Sequence, residues 1–301
     1  MLYHVLCRAG YLLSGPERRE NRGKEKEQLI RRKTEANRLL PGEAFSGIPE
    51  GVTLSSVELP HCRAWFVSAE GNPGDCALLF VHGGGFVAGN SVRRSEFLYY
   101  AATKWKVNTL SVDYRLAPEF RQPCQLQDCM DAYRELLRRC APEKIVLLGE
   151  SAGATLILTM LLQIRQEGLP MPGCAVANSP VAQIRRYTKS WFVNRTDDIV
   201  VPGDHERSRA LYARREDLKD PLVWPLYGDF HGCCPVFLEV SGSERLLDDS
   251  VLLERRLRKT GCPVTLNIRP DTMHAFLAFP LRIGTEAFHE DVRRYLSLYL
   301  S

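Results

Sequence analysis

Between Lys144 and Leu162 the chain passes from one apolar segment into another with a single five-residue break, Gly149-Glu150-Ser151-Ala152-Gly153. The first segment, Lys144-Ile145-Val146-Leu147-Leu148, has the pattern of a short buried strand, and the second, Ala154 to Leu162, is long enough for a buried helix. With so little chain between them, Ser151 must stand on a sharp strand-to-helix turn. Side chains flanking such a turn would collide with the strand and the helix, so Gly149 and Gly153 let it form. The serine hydroxyl is then exposed at the C-terminal edge of a sheet, at a helix N-terminus that favours developing negative charge. From this motif alone, a serine capping a helix between two incidental glycines reads the same way.

A second motif lies about 65 residues upstream, where the strand-like Cys76-Ala77-Leu78-Leu79-Phe80-Val81 runs straight into His82-Gly83-Gly84-Gly85-Phe86. Consecutive glycines let backbone N–H groups turn towards a substrate oxygen with no side chain in the way. An oxyanion hole needs donors about 3 Å from a carbonyl oxygen as it becomes negative, and the candidates are the amides of Gly84, Gly85 and Ala152. Alone, a glycine triplet after a strand also reads as a flexible loop or a phosphate cradle, and the lack of a following G-K-[ST] argues against a P-loop.

These residues resemble the hormone-sensitive-lipase-like (bacterial family IV) esterases of the α/β-hydrolase superfamily, whose hallmarks are HGGGF and G-[DE]-S-A-G. The likeness covers most of the chain beyond about residue 50. It takes in Asp113-Tyr114-Arg115-Leu116-Ala117-Pro118-Glu119 after the strand Val107 to Val112, Asp220-Pro221-Leu222-Val223 with Pro225-Leu226-Tyr227, and Met273-His274-Ala275-Phe276. The resemblance implies an α/β-hydrolase fold: a mostly parallel eight-stranded sheet flanked by helices, with a helical cap. It also implies carboxylic ester hydrolysis through an acyl-enzyme on short to medium acyl esters, with no metal or organic cofactor. The family's oxyanion donors correspond to Gly84, Gly85 and Ala152.

A serine hydroxyl needs a base, and in this fold the chain order is serine, acid, histidine. Four histidines follow Ser151. His289 falls beside the stripe 288, 292, 295 and 299 of a terminal helix, on its polar side, and is expected to be solvated. His205 and His231 lie in loop-like polar or glycine-containing stretches. His274 fits the base, in a loop after the alternating strand Val264, Leu266, Ile268 and before the last helix. For the acid, Glu244-Arg245-Leu246-Leu247-Asp248-Asp249 aligns with the family's D-P-L-x-D-[DE], which puts Glu244 at the position usually held by aspartate. Asp248 is the alternative, although an aspartate at the start of the next helix is also a natural N-cap.

Lys and Arg number 40 against 36 Asp and Glu, a net charge of +4 with the basic residues scattered, which argues against a nucleic-acid partner. Ten cysteines lie without paired spacing and no CxxC occurs, so reduced thiols in a cytoplasmic protein are expected and metal ligation is not. No run approaches the roughly 20 apolar residues needed to cross a bilayer. The apolar start, Met1 to Leu13, carries Arg8 in mid-segment and reads as a short amphipathic helix, followed by a second over Lys24 to Leu40. By resemblance, residues 1–50 contribute helices to the cap, residues 51–301 form the catalytic domain, and the cap insertion spans about 183–219. Phe86, Trp191 and Phe192, and likewise Leu211 and Tyr212, are then expected to meet the small-molecule ester substrate, unless the cap aromatics only pack the cap onto the core.

Early alternating segments, Thr53 to Leu59 and Cys62 to Val67, read as an antiparallel start to the sheet, with Val264 to Ile268 near the opposite edge. An exposed edge of that kind can pair with a second copy to make a homodimer, as in some relatives. Two rival functions share this scaffold: amide or acetyl-group hydrolysis, and ligand binding without catalysis.

Overall fold

The protein's structure, a computed structural model, describes residues 44–183, 188–194, 198, 200, 208–270, 272–279 and 286–300. The chain divides into two units, Met1–Pro41 and Gly42–Ser301, and the described residues belong to the second. The N-terminal helices expected before Pro41, His205 and part of the 183–219 insertion lie outside the described residues.

Four strands open the sheet: β1 (Val52–Glu58), β2 (Arg63–Ala69), β3 (Ala77–Val81) and β4 (Asn108–Asp113). Four more complete it: β5 (Ile145–Glu150), β6 (Cys174–Asn178), β7 (Val236–Ser241) and β8 (Val264–Arg269). They form one eight-stranded sheet in the order β1-β2-β4-β3-β5-β6-β7-β8. β2 runs antiparallel to β1 and β4, and the remaining pairs are parallel. Every residue of β3, β5, β6 and β7 is buried, as parallel strands covered on both faces must be. β1 instead mixes exposed and buried positions, as a one-sided edge strand does.

The helices are α1 (Ser95–Tyr100), α2 (Cys124–Leu136), α3 (Ala152–Gln166), α4 (Lys189–Val193), α5 (Leu247–Lys259) and α6 (Glu286–Leu300). Successive strand residues point to opposite faces, so β3 divides its side chains between two cores. Leu79 and Val81 join Met130 and Tyr133 of α2, Leu158 of α3 and Leu253 of α5. Leu78 and Phe80 join Phe97 and Leu98 of α1 with Val292 and Leu296 of α6. α3 is buried almost all round, from Ala152 to Leu162, which is why its sequence lacks a polar face.

The last helix corrects one expectation. His289 is fully buried, not solvated, and its ring meets Tyr100 and Trp105 at centroid distances of 5.1 and 5.8 Å. His289 is buried beside Val292 and Leu296, while Tyr295 and Tyr299 of the expected stripe pack partly buried against the same core; the covered face of α6 is wider than that stripe because Tyr100 and Trp105 lie over His289. Burial pushes the imidazole down to about 4. No helix among the described residues is long and apolar enough to cross a membrane.

A histidine whose folded value lies below the ordinary 6.5 supplies stability that is full above 6.5 and lost as pH falls towards 4. His289→Phe removes the titrating group and keeps the ring contacts. The stability difference between wild type and variant should therefore change by about 3 kcal/mol between pH 7 and pH 4. Urea unfolding across that range measures it, and parallel curves for the two proteins would refute the assignment.

Candidate active site

β5 ends at Glu150 and α3 begins at Ala152, leaving Ser151 alone at the turn with φ 53° and ψ −117°. That left-handed backbone is costly for a side-chain-bearing residue, on the order of 1–3 kcal/mol, and persists because the surroundings over-determine it. A Cβ on Gly149 would lie 2.4 Å from the Gly153 carbonyl oxygen, and one on Gly153 would lie 1.9 Å from that of Val81. The Ser151 N–H donates to the Asn178 carbonyl at 2.8 Å. Its Oγ lies 2.8 Å from Nε2 of His274, which follows β8 on a loop turned by Ala275 at φ 56°.

Glu244 follows β7 and is buried, with Oε1 3.4 Å from the His274 Nδ1. That separation is long for a hydrogen bond, as in many ligand-free sites. Its other oxygen accepts from the Ser179 hydroxyl at 2.7 Å and the Ser241 N–H at 3.2 Å. Burial alone would lower the His274 value, but the charge and hydrogen bond of Glu244 outweigh it and raise the imidazole above an ordinary histidine. Asp248, the alternative acid, turns elsewhere: its carboxylate accepts the Ser190 N–H at 2.8 Å, in the first turn of α4. Ser151, His274 and Glu244 therefore meet, and Asp248 does not join them.

The glycine loop after β3 is built around close approaches. Gly84, at φ 117°, would place a Cβ 2.1 Å from the Ala88 carbonyl oxygen. Its own carbonyl accepts from Val87 and Ala88 N–H at 3.2 and 3.1 Å. The amides of Gly84, Gly85 and Ala152 have no hydrogen-bond acceptor among the described residues. His82, whose value burial lowers, is a neutral ring that donates Nδ1–H to the Gly83 carbonyl at 2.7 Å and stacks on Tyr114.

Glu150, the second residue of the G-x-S-x-G motif, was not singled out by sequence reasoning. Its buried Oε1 accepts the Gly83 N–H at 2.8 Å and Arg94 Nε at 2.6 Å, tying the glycine loop to the nucleophile turn. Burial works to raise this carboxyl, yet Arg94 and the Gly83 N–H together hold it below its ordinary value. The one sequence signal for this was an acid next to the serine; Arg94 carried none.

The aromatics expected at the substrate fare differently, and Tyr212 is fully buried. Phe86 is 1% exposed and stacks on Tyr212 at 3.7 Å between centroids, so its ring is taken up within the protein. Trp191 is 5% exposed and lies under the Arg245 guanidinium. Phe192 alone keeps a large exposed surface, 46%.

A mostly parallel eight-stranded sheet whose central strand delivers a serine through a glycine-flanked turn, with a histidine at its hydroxyl, defines an α/β hydrolase. The family with an alpha/beta hydrolase fold matches residues 78–278. The chain is 32% identical over 238 residues to an acetyl-hydrolase of Streptomyces hygroscopicus, covering 78% of each protein. To Esterase LipU of Mycobacterium tuberculosis it is 31% identical over 242 residues, covering 76% of this chain and 81% of that one. The crystal structure of an esterase from the bacterial hormone-sensitive lipase family superposes with a TM-score of 0.80 at 27% identity, covering 90% of this chain and 96% of that one. The chain belongs to the α/β-hydrolase family and, within it, to the hormone-sensitive-lipase-like serine carboxylesterases.

Removing one partner of a buried ion pair leaves a charge uncompensated and typically costs about 3–5 kcal/mol. Glu150→Ala should accordingly lower the free energy of unfolding by about 3 kcal/mol, because it strands Arg94 and frees the Gly83 N–H. Denaturant titration checks this, and a loss no larger than that of an exposed surface substitution would show that the pair does not hold the loop.

Proposed function

We propose that the protein hydrolyses carboxylic esters of short to medium acyl length through an acyl-serine, with Ser151 as nucleophile, His274 as base and Glu244 as the orienting acid. The observation that carries this reading is the 2.8 Å contact between Ser151 Oγ and His274 Nε2, with Glu244 on the far ring nitrogen. In the first step His274 takes the Ser151 proton as the oxygen attacks the ester carbonyl. The amides of Gly84, Gly85 and Ala152 receive the developing oxyanion. Collapse of the tetrahedral intermediate expels the alcohol with the proton from His274, and water enters by the same route to release the acid and restore the serine.

Glu244 stabilises the imidazolium that forms twice in each cycle and fixes which ring nitrogen faces Ser151. The extra methylene of a glutamate, compared with the aspartate more usual in this family, is accommodated by the anchoring of its second oxygen on Ser179 and Ser241. The acetyl-hydrolase among the relatives supports a small acyl group, and esters of acetate and butyrate are the substrates to test first.

Ser151→Ala should abolish turnover of p-nitrophenyl butyrate and labelling by a fluorophosphonate probe, since only an activated serine reacts. Persistent labelling of a clean preparation would sink the nucleophile assignment. Replacing Glu244 by Gln should cut kcat by roughly 10⁴-fold, as with other triad acids. Asp248→Asn should change kcat little, and the reverse pattern would move the acid to Asp248.

The pH profile follows from the base. His274 must be neutral to accept a proton and its value is raised, so activity is lost as pH falls through a point above the ordinary 6.5. The acid limb of kcat/KM should have its midpoint above 6.5 and move to lower pH in Glu244→Gln. A midpoint below 6.5 in the wild type would contradict the pairing.

A further inference from the structure

Asn178 and Ser179, at the end of β6, touch all three segments that carry the proposed catalytic groups. The Asn178 carbonyl accepts the Ser151 N–H at 2.8 Å, and its side-chain Oδ1 accepts the Leu277 N–H at 3.1 Å in the loop after His274. The Ser179 hydroxyl donates to Glu244 Oε2 at 2.7 Å and accepts the Ala275 N–H at 3.1 Å, from the residue that follows His274. Both side chains are fully buried.

Ser179 also holds a left-handed backbone, φ 57°, without being glycine. Such a conformation is costly for a side-chain-bearing residue and persists only where the surrounding structure over-determines it. Here a glutamate stands at the acid position, with one more rotatable bond than an aspartate, and its Oε1 lies 3.4 Å from the imidazole. Its orientation rests on what grips Oε2, which is the Ser179 hydroxyl and the more distant Ser241 N–H at 3.2 Å.

We infer that Ser179 is a positioning residue for the proposed reaction: its hydroxyl fixes the Glu244 carboxylate and clasps it to the loop that carries His274. This rests on the assignment of Glu244 as the acid. The serine neither reacts nor meets substrate. Its effect is to hold the carboxylate on the ring nitrogen while the imidazole gains and loses its proton.

The test compares Ser179→Ala, Ser179→Gly, Glu244→Gln and the double variant Ser179→Ala/Glu244→Gln in steady-state kinetics on p-nitrophenyl butyrate across pH. Glycine adopts the left-handed backbone freely, so Ser179→Gly keeps the test valid if the alanine variant folds poorly. Both single changes at 179 should lower kcat by about 10- to 100-fold, the scale of a small misplacement of a catalytic group, and leave KM within about twofold. The acid limb should move to lower pH, because a misdirected carboxylate supports the imidazolium less. A hydroxyl that only drew charge from the carboxylate would, on removal, move the limb upwards. In the double variant, kcat should equal that of Glu244→Gln, because Ser179 acts through the group already lost. Wild-type kcat in Ser179→Gly, an upward limb shift, or losses that multiply in full would each overturn the inference while leaving a crippled Glu244→Gln, and so the acid assignment, intact. A mild Glu244→Gln would overturn the acid assignment and the inference together.

Discussion

The contact on which the rest of the molecule depends is the approach of α3 to the end of β3 at Gly153, where a Cβ would sit 1.9 Å from the Val81 carbonyl oxygen. No side chain fits there, so the helix can start directly against the sheet. Because it starts there, the residue before it has one place to be, at a sharp left-handed turn on the central strand β5. The burial of α3 on nearly every side then locks this arrangement with much of the apolar core. The energy of a large core is thus used to hold one backbone angle that local preferences oppose.

Around that turn the charges are arranged on two levels. Glu244 meets the imidazole directly, and Glu150 lies behind the serine, bonded to Arg94 and to the glycine loop. Against the burial that opposes it, Glu244 chiefly, then Asp198 and Glu150, favour the protonated form of His274. Arg94, with the Gly83 N–H, holds Glu150 below its ordinary value in a place where burial works to raise it. Hydrogen bonds to fixed backbone groups do the remaining orientation, so little has to reorganise as charge moves.

Much of this was legible in the chain. β3 and the start of β5 are apolar runs with clear boundaries, β7 is one interrupted by Glu239, and β1 mixes exposed with buried positions as a half-covered edge does. Chain order pointed to Ser151 and His274, and alignment with the resembling family pointed to Glu244; the three side chains approach one another in the structure. What escaped depends on contacts between distant residues. Arg94 reaches Glu150 across 56 positions and Ser179 reaches Glu244 across 65, with no periodicity to mark either. His289 was misjudged because a helical stripe predicts one covered face, whereas Tyr100 and Trp105 supply cover from another part of the chain. Phe86 and Trp191 were expected at the substrate, since residue type does not distinguish an aromatic that lines a pocket from one that packs; Tyr212 and Arg245 decided that.

The stacking of Phe86 on Tyr212 has a mechanical side. Phe86 directly follows Gly84 and Gly85, and Tyr212 belongs to the 183–219 insertion, whose Ser208 also lies where a Gly85 side chain would be. The glycine loop is thereby packed directly against that segment. A substitution that repacks Tyr212 therefore disturbs the glycine loop as well, so these two segments cannot vary independently of each other.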